Sequence, residues 1–153
     1  MGSKKILLID DDITILEVNK LILELENYIL LTARDGIEAL KIIKDNKPDL
    51  IVSDLMMPNM DGFELLEELR ANEDTKDISC LVLSSLNNEE AKKKVYDLGI
   101  CDYLIKGIDP ECLVKKINTA LSMNSTSQDN ITEIQILRVC ILITFKSLLK
   151  VTT

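Results

Sequence analysis

Four short runs of apolar residues, Ile6–Ile9, Ile29–Thr32, Leu50–Ser53 and Leu81–Leu83, each stop at turn or charge signals. Apolar runs of that length predict strands buried on both faces. Tyr103–Ile105 is a fifth, shorter candidate. Amphipathic stretches of helical length lie between them. Asp35-Gly36-Ile37-Glu38 and Asp61-Gly62-Phe63-Glu64 both fit the capping box, with a carboxylate at N-cap and Glu at N3. Asp109-Pro110 opens the last helix with a cap and a proline at N1. Strands alternating with helices predict an α/β fold: an open, five-stranded, mostly parallel sheet with helices on both faces.

Near Met123 the pattern breaks. Residues 4–121 read as one domain, 122–130 as a polar linker and 131–153 as an apolar extension. As a helix, the extension puts Ile131, Ile134, Leu137, Ile141, Phe145 and Leu148 on one broad face. The β-branched run Val139–Ile143 would also suit a strand, and the helix is the expectation. Glu133, Gln135, Arg138, Lys146 and Lys150 leave no apolar stretch of ~18 residues, so a membrane span is not expected. Such a face packs on its own domain, pairs with another copy or waits for a partner. A homodimer through the extension is the expectation from sequence.

Composition narrows the chemistry. The 153 residues are 46% hydrophobic and 29% charged, which suits one globular domain. Histidine is absent, so the chain carries no imidazole base, ligand or phosphoryl carrier. A net charge of −8 and 3% aromatics argue against gripping nucleic-acid phosphates or stacking bases. Cys80, Cys101, Cys112 and Cys140 have no C-x-x-C spacing, and no export signal precedes them. Buried thiols in a cytoplasmic protein are expected. The 32 residues after Leu121 are too few for a further folded output module.

In open α/β sheets, ligands sit beyond the carboxyl ends of the strands where the strand order reverses. The first strand ends in Asp10-Asp11-Asp12 and the third in Asp54. With strand order 2-1-3-4-5 those carboxylates converge. Like charges so placed raise one another's pKa unless neutralised, and a hydrated Mg²⁺ is a natural counter-ion. Ser84 and Lys106 end the fourth and fifth strands, adding a hydroxyl and an ammonium. Together these groups suit phosphoryl transfer.

The words Ile6-Leu7-Leu8-Ile9-Asp10-Asp11-Asp12, Val52-Ser53-Asp54-Leu55-Met56-Met57-Pro58-Asn59-Met60-Asp61-Gly62, Leu83-Ser84-Ser85 and Asp102-Tyr103-Leu104-Ile105-Lys106 follow in order. In this, residues 4–121 resemble a receiver domain of the two-component response regulators. The resemblance implies a flavodoxin-like, doubly wound sheet. It also implies that Asp54 is the phosphoacceptor and that Asp10, Asp11, Asp54 and the Met56 backbone carbonyl hold Mg²⁺. Ser84 and Tyr103 would be switch residues, and Lys106 would pair with the phosphoryl oxygens. The donor would be a phosphohistidine on a sensor kinase or phosphotransfer protein, and a downstream protein would read the state. Such a domain assists its own phosphorylation and dephosphorylation and is not a turnover enzyme. Gly107 stands where the family usually has a cis proline. One rival remains: Asp10-Asp11-Asp12-Ile13-Thr14 fits the D-x-D-x-T motif of haloacid-dehalogenase-like phosphatases, with Asp10 as nucleophile and Asp12 as general acid.

Overall fold

The computed structural model describes residues 2–123. Strands β1 (Lys5–Ile9), β2 (Ile29–Ala33), β3 (Leu50–Ser53), β4 (Ser79–Ser84) and β5 (Asp102–Ile105) alternate with helices. These are α1 (Ile13–Glu24), α2 (Gly36–Asn46), α3 (Gly62–Ala71), α4 (Glu89–Asp97) and α5 (Pro110–Ser122). All strand pairs are parallel and the order is β2-β1-β3-β4-β5. The expected flavodoxin-like fold is therefore present.

Alternation along the strands makes two cores. Leu7, Ile9, Ile51 and Val82 face one side, packed with Leu65, Leu66 and Leu69 of α3 and with Ala39, Ile43 and Val95 of α2 and α4. Ile6, Leu8, Val52, Leu81 and Leu83 face the other, against Leu16 and Leu23 of α1 and Leu113 and Ile117 of α5. Each fully buried leucine or isoleucine contributes about 1.5–3 kcal/mol, so the two layers fix the sheet firmly. Three helix caps, at Asp35, Asp61 and Asp109, follow the sequence reading. Asp12, Asp35, Asp61 and Asp109 each accept backbone N–H bonds at a helix start, and Asp61–Glu64 forms the reciprocal box.

Three details differ from expectation. Strand β4 starts at Ser79, two residues early, because Ser79 and Cys80 pair with Leu50 and Ile51 inside the sheet. Asn88, unremarked in the sequence, caps α4 by accepting from the Ala91 N–H. The thiols are not uniformly buried either: Cys80 is enclosed, Cys101 is half-buried and Cys112 is exposed, since it lies in the first turn of α5 on its outer side. Burial pushes the Cys80 thiol up to about 11, so it is inert at neutral pH. The proposed linker beyond Met123, the extension and Cys140 lie outside the described residues. Among the described residues no helix is long and apolar enough to cross a membrane.

Candidate functional site

The sheet ladders run one residue past β1 and β3 and thereby place two carboxylates. Asp10 N–H bonds the Ala33 carbonyl at 3.1 Å, and Asp54 N–H bonds the Ile9 carbonyl at 2.9 Å. Asp10 and Asp54 are consequently buried side by side at the carboxyl edge, while Asp11 is exposed at its mouth. Carboxylate oxygens of all three lie within 4.8 Å of one another. Lys106, which follows β5, reaches across to both buried acids: its Nζ is 2.8 Å from Asp10 Oδ2 and 2.7 Å from Asp54 Oδ2.

The remaining lone pairs are aimed by backbone. Leu55 N–H donates to Asp54 Oδ1 at 2.7 Å and Met56 N–H to the same oxygen at 3.4 Å. Asp12 N–H donates to Asp10 Oδ1 at 2.9 Å. Burial raises the Asp10 carboxyl above its ordinary value, with Lys106 and the Asp12 N–H pulling the other way. Burial lowers the Lys106 ammonium, but its bonds to Asp10 and Asp54 more than offset this and leave it raised. Three carboxylates against one ammonium leave an acidic excess. Oxygen donors, hard and closely spaced, suit a hard dication that keeps part of its water.

Next to this cluster, Ser84 is fully buried, and its Oγ accepts from Leu86 N–H at 3.3 Å. The Tyr103 hydroxyl donates to the Leu86 carbonyl at 2.6 Å, with Ser84 beside it. Both residues thus hold the loop after β4. Lys106 is in place although Gly107 follows it: the Lys106 N–H bonds the Ser84 carbonyl at 3.0 Å, and Gly107 turns the chain at φ +90°. A left-handed φ suits glycine and strains other residues. The Met56 side chain is turned out to solvent, whereas Met57 and Met60 pack against the core.

With this geometry, the family model of the response regulator receiver domain matches residues 6–118. The chain belongs to that family. Among the receiver domain's relatives is the DNA-binding dual master transcriptional regulator RpaA of Synechocystis, 38% identical over 117 residues, covering 76% of this chain and 48% of that protein. The phosphate regulon regulator PhoB of Pseudomonas aeruginosa is 36% identical over 121 residues, covering 79% of this chain and 53% of that protein. The chain thus spans about half the length of the curated relatives it matches. Among solved structures, the chemotaxis response regulator CheY4 of Vibrio cholerae superposes with TM-score 0.73 and 32% identity, covering 78% of this chain and 99% of that one. A CheY-like receiver domain protein of Methanospirillum hungatei superposes with TM-score 0.75 and 30% identity, covering 80% and 96%.

The phosphatase reading of Asp10 and Asp12 finds no support. Asp12 Oδ1 is engaged by the Thr14 and Ile15 N–H groups as the cap of α1, so it is not a free general acid beside Asp10. One residue beside the central acid was read in the sequence only as part of a helix cap. A Cβ on Gly62 would collide with the Asp54 carbonyl oxygen and stand 2.7 Å from Leu55 Cα, because α3 starts directly on the backbone of the central acid. Gly62 N–H also bonds the Leu55 carbonyl at 2.9 Å. The only signal was the D-G pair before an apolar helix, which fits an ordinary cap equally well.

Proposed function

We propose that this receiver, residues 4–121, accepts a phosphoryl group from a phosphohistidine of a sensor kinase or phosphotransfer protein onto Asp54, with Mg²⁺. The observation that supports it best is Lys106 bridging Asp10 and Asp54 while Asp11 faces the opening. Asp10, Asp11, Asp54 and the Met56 carbonyl would hold the cation. When bound, Mg²⁺ supplies neutralisation of the acids and of the incoming phosphoryl oxygens.

A carboxylate oxygen of Asp54 attacks phosphorus in line as the N–P bond of the donor breaks. The electron pair of that bond leaves with the imidazole, and the phosphoryl group becomes an acyl phosphate. Leu55 N–H fixes the other carboxylate oxygen and so sets the direction of attack. Lys106, freed from Asp54 by loss of its charge, pairs with a phosphoryl oxygen. Ser84 then turns from the Leu86 N–H to the phosphoryl group, and with Tyr103 shifts the loop after β4 that both residues hold. A two-state loop of this kind lets a downstream protein read the site. Water hydrolyses the acyl phosphate and resets the domain, so each event modifies the chain once.

Incubation with acetyl phosphate and Mg²⁺, read by intact mass, tests the proposal. One phosphoryl adduct is expected, and none on Asp54→Asn. An equal adduct on that variant overturns the assignment.

A further inference from the structure

The loop from Leu55 to Asp61 joins β3 to α3 and carries the Met56 backbone. The central acid holds its near end: Leu55 and Met56 N–H donate to Asp54 Oδ1, and Gly62 N–H returns to the Leu55 carbonyl. The far end makes a tight turn. Asn59 lies at φ +65°, and Met60 N–H bonds the Pro58 carbonyl across it at 2.8 Å. A three-residue turn with a positive φ at its centre is rare and strained, although asparagine bears it better than most residues. Strain of this kind persists only where the surroundings hold it.

The surroundings that hold it are the start of α2, which lies outside the acidic cluster. Asn59 Nδ2 donates to Asp35 Oδ2 at 2.7 Å, and Gly36 N–H donates to the Met60 carbonyl at 3.0 Å. The Met60 side chain lies so close over Gly36 that a Cβ there would stand 2.5 Å from Met60 Cγ. Capping α2 needs only one carboxylate oxygen of Asp35, and Oδ1 serves it by accepting from Glu38 N–H at 2.8 Å. The other oxygen is spent on a residue 24 positions away. The Glu38 N–H first, and the Asn59 amide second, hold the Asp35 carboxyl below its ordinary value. It is therefore ionised at neutral pH, and its bond to Asn59 is charge-assisted. Helix α2 is itself fixed, because Ala39 and Ile43 are buried in the core. The strained turn is thus tied to a packed element.

We propose that Asp35 and Asn59 are positioning residues for the cation site: by fixing the far end of this loop they keep the Met56 carbonyl in place for Mg²⁺. This rests on the reading in which Asp10, Asp11, Asp54 and that carbonyl hold the cation. Asp10 and Asp54 are set by the sheet ladders, whereas Met56 belongs to a loop and its side chain is exposed. A main-chain ligand has no rotamer with which to adjust, so its place depends on both ends of its loop. Mg²⁺ requires near-ideal octahedral geometry and tolerates little drift. Contacts that orient a ligand from behind commonly contribute roughly 10–100-fold to metal affinity.

Calorimetric titration of the full chain with Mg²⁺, at a temperature where circular dichroism shows every variant folded, tests this. Asn59→Ala should bind Mg²⁺ roughly tenfold more weakly than wild type. The exchange Asp35→Asn with Asn59→Asp reverses donor and acceptor at unchanged net charge. The new amide caps α2 with its oxygen and donates its N–H to the new carboxylate, so this variant should bind several-fold more tightly than Asn59→Ala. Thr75→Ala removes a hydrogen bond to the Leu69 carbonyl near the opposite end of α3 and should leave the affinity unchanged. Equal affinity in Asn59→Ala and wild type would overturn the proposal, as would an exchange variant no better than Asn59→Ala. Equal weakening by Thr75→Ala would reduce the effect to general stability and overturn it too. A wild type that binds no Mg²⁺ fails differently: it overturns the reading of the acidic cluster, and this proposal with it.

Discussion

The two ends of the sheet each gather oxygen atoms around one cation, with opposite balances. At the carboxyl end Lys106 serves Asp10 and Asp54 at 2.8 and 2.7 Å, and Asp11 stands by without a share of it. At the other end Arg70, from the last turn of α3, donates to four neutral carbonyls. Its Nε reaches Leu98 at 2.8 Å, its Nη1 Lys76 and Ile78 at 3.0 Å, and its Nη2 Gly99 at 3.2 Å. The planar guanidinium fork closes the loops before β4 and β5 through neutral acceptors alone. Nearby, Asp102 is likewise matched, by Lys116 at 2.6 Å and the Tyr96 hydroxyl at 3.2 Å. One end is complete. The other is acidic beyond its own means, which is the condition for taking up a cation.

The largest effect that would sharpen this contrast is at the complete end. Arg70→Ala strips a donor set from four carbonyls of two loops, those of Ile78 and Leu98 part-buried, and should cost about 2–3 kcal/mol in urea unfolding. Arg70→Lys should recover only part of that, because an ammonium lacks the fork. A loss below about 0.5 kcal/mol for Arg70→Ala would break the comparison.

The acidic end should respond in the opposite direction. Without divalent cations, Asp11→Asn relieves repulsion and should raise stability by about 0.5–1 kcal/mol. The wild-type melting temperature should rise on adding Mg²⁺ by mass action, and the variant's should rise much less. A wild-type melting temperature indifferent to Mg²⁺ would contradict the leftover charge.

The smallest effect is in the pH dependence. Burial tends to raise the Asp102 carboxyl, but Lys116 and the Tyr103 N–H outweigh it and hold the group below its ordinary value of 3.8. Its contribution is present above 3.8 and is lost as pH falls through the lower folded value. Asp10 has the reverse sign. Burial raises its carboxyl, so its contribution is present below 3.8 and is lost as pH rises through the higher folded value. Melting curves without divalent cations should therefore be flatter for Asp102→Asn at the acid end of the range, and flatter for Asp10→Asn just above it. Identical slopes for the two variants would remove the distinction.

Much of the acidic end was readable from sequence because strands announce themselves locally. Short apolar runs place their following residues at one sheet edge, so Asp10, Asp54, Ser84 and Lys106 fall together once the order is known. The caps at Asp35, Asp61 and Asp109 were readable for the same reason, since each contacts residues within one turn. The complete end was not. Arg70 bonds Leu98 and Gly99, which are 28 and 29 residues away, and a basic residue in a last helical turn is commonplace. Gly62 was hidden likewise: its packing on Asp54 follows from how α3 leaves the sheet, which no local pattern encodes. Exposure of Leu21 and Leu25 was also illegible, because α1 is apolar on both sides and periodicity does not say which side is covered.

The central claim is that Asp54, among four neighbouring aspartates, takes the phosphoryl group. Borohydride reduction of the freshly phosphorylated chain converts an acyl phosphate to the corresponding alcohol, and peptide mass mapping locates it. The account predicts homoserine at position 54 alone, formed only when acetyl phosphate and Mg²⁺ were both supplied. Homoserine at position 10, with position 54 still aspartate, would contradict it.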